Sequence, residues 1–210
     1  MNKIRELFDD TKLVQRIQNR LPYLFQLAEL DSTRGGRIGM EVGSIRERII
    51  VALLIHKFGQ QYVKTEFPIT EPEIDVAIEN EAYSIKTITN KKLGGGVKLI
   101  WTVDTQKAHQ FRNSYQPSCG MILIHINWTN GGGFYYFSQT VQQEVLQEIG
   151  RENYIKLPKI GTNPRGVEMT SLALQTLGQH EKKLFIPINW AKTNIDYNPF
   201  KKWVEHWQEK

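Results

Sequence analysis

The 210 residues carry 27 lysines and arginines against 22 acidic residues, a formal charge of +5 with an isoelectric point near 9.2. That excess favours a polyanionic partner over an acidic one. A single cysteine, Cys119, excludes an intrachain disulfide framework and a cysteine-built zinc site, and it matches a reducing, cytoplasmic setting. The longest apolar run, residues 49–55, is too short to span a bilayer, so no membrane partner is expected.

Residues 3–30 read as helix. Leu13, Ile17 and Leu21 recur at helical spacing, with Asp10 or Thr11 as a cap, and Pro22 is expected to break or restart the helix before Leu24, Leu27 and Leu30. The segment suits packing or dimerisation. Residues 31–40 then hold three glycines and two arginines, a basic loop able to approach a phosphate backbone. Arg34 and Arg37 are candidate DNA contacts. Met40 is either an apolar wedge between bases or the first core residue of the next helix.

Residues 43–59 form the strongest helical pattern, with Gly59 as its stop. The run is apolar nearly all round after Arg48 and is expected to be buried. Glu47 shares a face with Val51, Leu54 and Phe58, so its carboxylate needs a partner at the rim of the core: a metal, a lysine or an arginine. Arg46 and Arg48 are the bland choices.

Residues 62–69 read as a first strand ending near an edge at Pro68. Residues 71–89 read as a hairpin of two β-branched runs, each interrupted by one charge, Asp75 in the first and Lys86 in the second. With Asn80 and Glu81 as the turn, Ile78 faces Tyr83 and Asp75 faces Lys86. Asp75, Ala77, Ser84 and Lys86 then share one face. The pair is either half of a metal-assisted hydrolytic site or a plain cross-strand ion pair.

A basic, glycine-rich loop follows, with Lys91, Lys92 and Lys98 as candidate phosphate contacts. Residues 99–103 are ambiguous. Asp104 or Thr105 caps a helix through Ala108 and Phe111, residues 121–128 form a buried strand, 134–137 another, and Val141 to Ile149 a helix. Beyond lie a basic loop with Lys159 and Arg165 as candidate base contacts, a short helix from Thr170, an edge strand over 184–188, and an amphipathic tail. Trp203 and Trp207 in that tail are expected to lie on the body or on a partner.

The five histidines form no metal-ligand spacing, and no nucleophile elbow, phosphate loop or dinucleotide fingerprint occurs. What remains is a carboxylate on a helix, a carboxylate on a strand and a lysine on the next strand. The run from Gly43 to Arg48 before a long apolar helix, then residues 72–75 and Ser84-Ile85-Lys86, resembles the PD-(D/E)xK nuclease superfamily. More narrowly, the length and the run from Gly36 to Arg48 look like the ThaI-type restriction endonucleases.

That resemblance implies an α/β (α+β) fold with a mixed central sheet in the order helix-β-β-β-helix-β-β. It implies one nuclease domain over 1–210, with an N-terminal helical segment (1–39), a catalytic core (40–150) and a C-terminal DNA-contact or packing segment (151–210). It also implies a homodimer that cuts double-stranded DNA bluntly at a short palindromic, CGCG-like site with Mg²⁺. Asp75 and Glu47 would be metal ligands and Lys86 would orient or deprotonate the attacking water. Ser84 stands where the pattern has its second acid, so Glu47 is the candidate replacement, ahead of Glu41, Glu66, Glu79 and Glu81. A structure-selective nuclease of the Holliday-junction-resolvase kind and a non-catalytic DNA-binding module remain alternatives.

Overall fold

The computed structural model describes residues 3–68, 73–129, 131–158 and 166–208. A short helix α1 (Arg5–Asp9) precedes the long α2 (Thr11–Ser32). Strands β1 (Thr33–Arg34) and β2 (Arg37–Ile38) form a two-stranded hairpin, and α3 (Val42–Phe58) follows. Next come β3 (Val63–Lys64), β4 (Val76–Ile78), β5 (Glu81–Thr89) and β6 (Lys98–Ile100), then α4 (Thr105–Ser114). The chain continues through β7 (Gly120–Ile126), β8 (Gly132–Phe137), α5 (Gln139–Ile149), α6 (Arg151–Tyr154) and β9 (Ile155–Lys156). It ends with β10 (Val167–Met169), α7 (Ser171–Gln179), β11 (Leu184–Pro187) and α8 (Lys201–Gln208).

A mixed six-stranded sheet runs β11-β8-β7-β5-β4-β3. Among the described residues only β5 and β7 pair in parallel; the crossover between them carries α4, as parallel pairing requires. Strand β7 is buried along its whole length, and its side chains alternate between two cores. Ile122, Ile124 and Ile126 meet α1, α2 and α3 through Leu7, Leu13, Phe25, Ile50 and Leu54. Met121 and Leu123 meet the opposite layer through Ala108, Val145, Tyr154, Leu174 and Leu177. Helices thus cover both faces, the mixed α+β architecture expected from the sequence. Strands β6, β10 and β9 make a separate three-stranded sheet, which resolves the ambiguous residues 99–100 as strand.

Three expectations need correction. Pro22 does not break the helix; it lies buried inside α2, among Leu21 and Phe25, whose burial offsets the missing backbone bond. The break comes at Asp10, whose carboxylate accepts from Leu13 N at 3.0 Å and caps α2. Helix α3 is not buried all round: only Arg46, Ile50 and Leu54 are buried, while Ala52 and His56 are exposed, because one face lies on the sheet and the other stays open. The strand over 62–69 shrinks to two residues at the sheet edge, with residues 69–72 outside those described. Trp203 and Trp207 of α8 are 62% and 90% exposed, so of the two expected surfaces the body does not bury them.

One charged cluster ties three elements together under α3. Glu29, 4% exposed on α2, accepts from Arg46 Nη2 at 2.6 Å, from Trp128 Nε1 at 2.8 Å and from Lys192 Nζ at 2.9 Å. Arg46 also donates to Thr89 Oγ1 at 3.1 Å, at the end of β5. Arg46 is thereby committed to Glu29 and Thr89, one residue before Glu47.

No helix among the described residues is long and apolar enough to cross a membrane.

Candidate active site

The hairpin of β4 and β5 turns at Glu79-Asn80, one residue earlier than the sequence pattern suggests. Ile78 pairs with Glu81 and Val76 with Tyr83. The positive φ that a tight turn demands falls on Glu79, at 55°, which the Lys3 ammonium holds at 3.1 Å. The pairing therefore slips by two residues from the expected one. A two-residue slip keeps every side chain on its face, whereas a one-residue slip would not. Asp75, continuing the ladder through its N–H to Tyr83 O at 3.0 Å, comes opposite Ser84 and diagonal to Lys86.

Asp75 is held on both sides. Its Oδ2 accepts from the Ile85 N–H at 2.6 Å and from Lys86 Nζ at 3.0 Å. Among the described residues nothing donates to Oδ1. The segment entering Asp75 is fixed by Glu73, whose carboxylate accepts from Tyr115 O–H at 2.9 Å, from Ser118 N–H at 2.9 Å and from the Ser118 hydroxyl. Glu73 is the feature that sequence reading missed. Its partners lie more than 40 positions away across the α4 crossover, so spacing carries no trace of them.

Helix α3 brings the third group. Gly43 and Glu47, one turn apart, line the same cleft of about 780 Å³ as Asp75, Lys86 and Thr87. The Glu47 carboxylate makes no ion pair with Arg46 or Arg48, since Arg46 is engaged by Glu29. Burial pushes the Glu47 carboxyl up from its ordinary range, and the Asp75 charge pushes it further; Lys86 and Arg48 pull it back. Ser84 is buried at 3% and holds no negative charge for the cleft. Of the other acids, Glu41 faces Arg34, Glu66 is exposed beyond β3, Glu79 faces Lys3 and Glu81 accepts from Tyr83 O–H at 2.5 Å, and none of the four lines the cleft.

The remaining candidates distribute unevenly. Lys98 lines the cleft mouth, with Gly96, Leu99 and Trp101 beside it. Lys91 and Lys92 are exposed outside the lining. Arg34 and Arg37 are exposed on the β1–β2 hairpin, where Gly35 and Gly36 supply the two positive φ values of its turn. Met40 is 86% exposed, so it is not a core residue of α3. Lys159 and Arg165 lie outside the described residues.

The donor set suits a hard divalent cation: Asp75 offers an oxygen with no donor, Glu47 a carboxylate whose pKa is raised by burial and then by the Asp75 charge, and among the described residues no sulfur or imidazole lines the cleft. Among the described residues no three His, Cys, Asp or Glu side chains form a complete cage.

A mixed sheet with helices on both faces and two carboxylates and a lysine at one cleft defines a restriction-endonuclease-like protein. The chain is similar to a solved "Restriction endonuclease in complex with substrate DNA", with 54% identity and a TM-score of 0.92, covering 100% of both chains. The family model "Restriction endonuclease ThaI" matches residues 7–209, and the chain belongs to that family. No curated protein matches it. Membership makes the chain a type II restriction endonuclease acting on DNA.

Proposed function

We propose that this endonuclease uses Mg²⁺ to hydrolyse both strands of a short palindromic, CGCG-like site, acting as a homodimer. The observation that carries the reading is the meeting of Glu47 from α3 with Asp75 and Lys86 from the hairpin in one cleft. The 54% identical neighbour is described with substrate DNA, which supports duplex DNA as the ligand here. Twofold symmetry in the enzyme matches a palindromic site.

Asp75 and Glu47 would hold the metal. When bound, it supplies charge to the scissile phosphate and acidifies water. Asp75 Oδ2 keeps the Lys86 ammonium pointed into the cleft. From there Lys86 orients the attacking water and offsets negative charge on the pentavalent phosphorane. The Ile85 N–H fixes the carboxylate plane, so Oδ1 is presented without reorganisation. The exposed Arg34 and Arg37 suit guanine edges, and the protruding Met40 suits insertion between base pairs. Lys91, Lys92 and Lys98 suit phosphates.

A plasmid digest tests the reading. With Mg²⁺ the protein yields discrete bands, EDTA abolishes them, and Asp75→Ala or Lys86→Ala removes activity. Nicking or smearing would favour a structure-selective nuclease, and no cleavage a binding module.

A further inference from the structure

Lys98 and Trp101 stand together at the mouth of the cleft. The Lys98 ammonium lies 3.5 Å from the centroid of the Trp101 ring, over its face, while the indole is 64% exposed. A cation so placed is attracted by the ring quadrupole, yet keeps its N–H donors for another acceptor. Its strand neighbour does not neutralise it. Glu168 is the register partner of Lys98 across β6 and β10, but the Glu168 carboxylate turns to Lys156, at 3.4 Å. Among the described residues Lys98 has no carboxylate partner.

The backbone that presents Trp101 is firm. Met169 N–H donates to Val97 O at 2.8 Å, and β6 pairs with β10 up to Ile100. Gly166, at φ +98°, brings β10 so close that a Cβ there would meet Ile100 O at 2.2 Å. The chain leaves the sheet just after this clamp, with Trp101 as the first residue out. A large indole on a fixed backbone, left in solvent beside a lysine at the mouth of the cleft, has a use when a polyanion crosses it.

We propose that Trp101 is a positioning residue for DNA: its ring holds the Lys98 ammonium at the cleft mouth, where Lys98 grips a backbone phosphate beside the scissile one. The inference rests on the cleft being the nuclease site. It adds to that reading the residue that aims a phosphate contact, and it separates Lys98 from Lys91 and Lys92, which are exposed outside the cleft lining.

The test measures binding of a short fluorescein-labelled duplex in EDTA at several KCl concentrations, together with steady-state cleavage in Mg²⁺. Lys98→Ala weakens binding about tenfold, the size of one charge-assisted hydrogen bond. It also lowers the slope of log Kd against log salt by about one per protomer. Trp101→Ala reproduces most of both effects, Trp101→Phe restores most of the loss, and Lys98→Ala/Trp101→Ala is no worse than Lys98→Ala alone. KM rises and kcat at saturating DNA is unchanged in each. Wild-type binding by Trp101→Ala, additive effects in the double variant, or a fall in kcat alone overturns the inference. Asp75→Ala is assayed alongside: retained cleavage overturns the reading of the cleft, while the metal-free titration still decides the role of Trp101. A wild-type chain that does not bind the duplex overturns both.

Discussion

Lys86 Nζ donates to Asp75 Oδ2 at 3.0 Å, and the Ile85 N–H donates to the same oxygen at 2.6 Å. One oxygen of the carboxylate is thus spoken for by the hairpin itself, while the other accepts from no donor among the described residues. A cross-strand pair serving stability alone has no reason to leave its second oxygen without a donor while a second carboxylate, close enough to feel its charge, lines the same cleft.

That crowding gives the first prediction. The Glu47 carboxyl binds its proton more tightly in the folded chain than in the unfolded one, because burial and Asp75 both raise it. Stability is therefore lost as pH rises from the ordinary glutamate range through the raised folded value, and the cost persists above it. Glu47→Gln removes this cost: thermal melts without divalent metal show the variant above wild type at neutral pH and level with it in acid. Adding Mg²⁺ raises the melting temperature of wild type and not of Glu47→Gln. Equal rises in both would exclude Glu47 as a ligand.

The buried Glu29 holds the buried Arg46 together with Trp128 and the exposed Lys192 beneath α3. Glu29→Ala leaves the Arg46 guanidinium buried and unpaired, at a cost of about 3–5 kcal/mol. Urea unfolding reads it as a lower midpoint with an unchanged slope. Glu29→Gln, which still accepts from Trp128, loses less.

Met40 stands 86% exposed between the basic hairpin and α3. Met40→Ala leaves the melting temperature within about a degree of wild type, as exposed substitutions do. It weakens cleavage of the cognate site by at least about tenfold if the side chain enters the base stack. Unchanged cleavage would remove Met40 from the DNA interface.

Cys119 is buried beside Glu73, and burial with that carboxylate's charge pushes its thiol up to about 11. It stays protonated at neutral and mildly alkaline pH, and the thiol is a poor nucleophile. Iodoacetamide at pH 8 leaves the native protein unmodified and active; rapid alkylation with loss of activity would show that the Glu73 clasp opens in solution.

The fold and the cleft were legible to different depths. The two charges interrupting β-branched runs marked the hairpin, and parity placed Asp75, Ser84 and Lys86 on one face even though the turn was set one residue late. The error arose because Glu79, and not a glycine, takes the positive φ, held by Lys3 from the other end of the chain. Glu47 was visible as a carboxylate interrupting an apolar stripe. The burial of α3 was over-read, since a stripe reports hydrophobicity and not whether a layer covers it. The Glu73 clasp left no trace in the spacing because its partners lie across the crossover, and the Lys98–Trp101 pair, though local, reaches the cleft only through the pairing of β6 with β10.

We propose that Glu47, carried by α3, supplies the acid missing at Ser84 and completes one site with Asp75 and Lys86. Single-turnover cleavage of a cognate duplex in Mg²⁺ tests it most directly, comparing Glu47→Ala, Asp75→Ala and the double variant. Each single change is expected to lower the rate by at least about 10²–10³, and the double variant to be no slower than Asp75→Ala alone, as for residues acting as one unit. A Glu47→Ala enzyme that cleaves at the wild-type rate would contradict it.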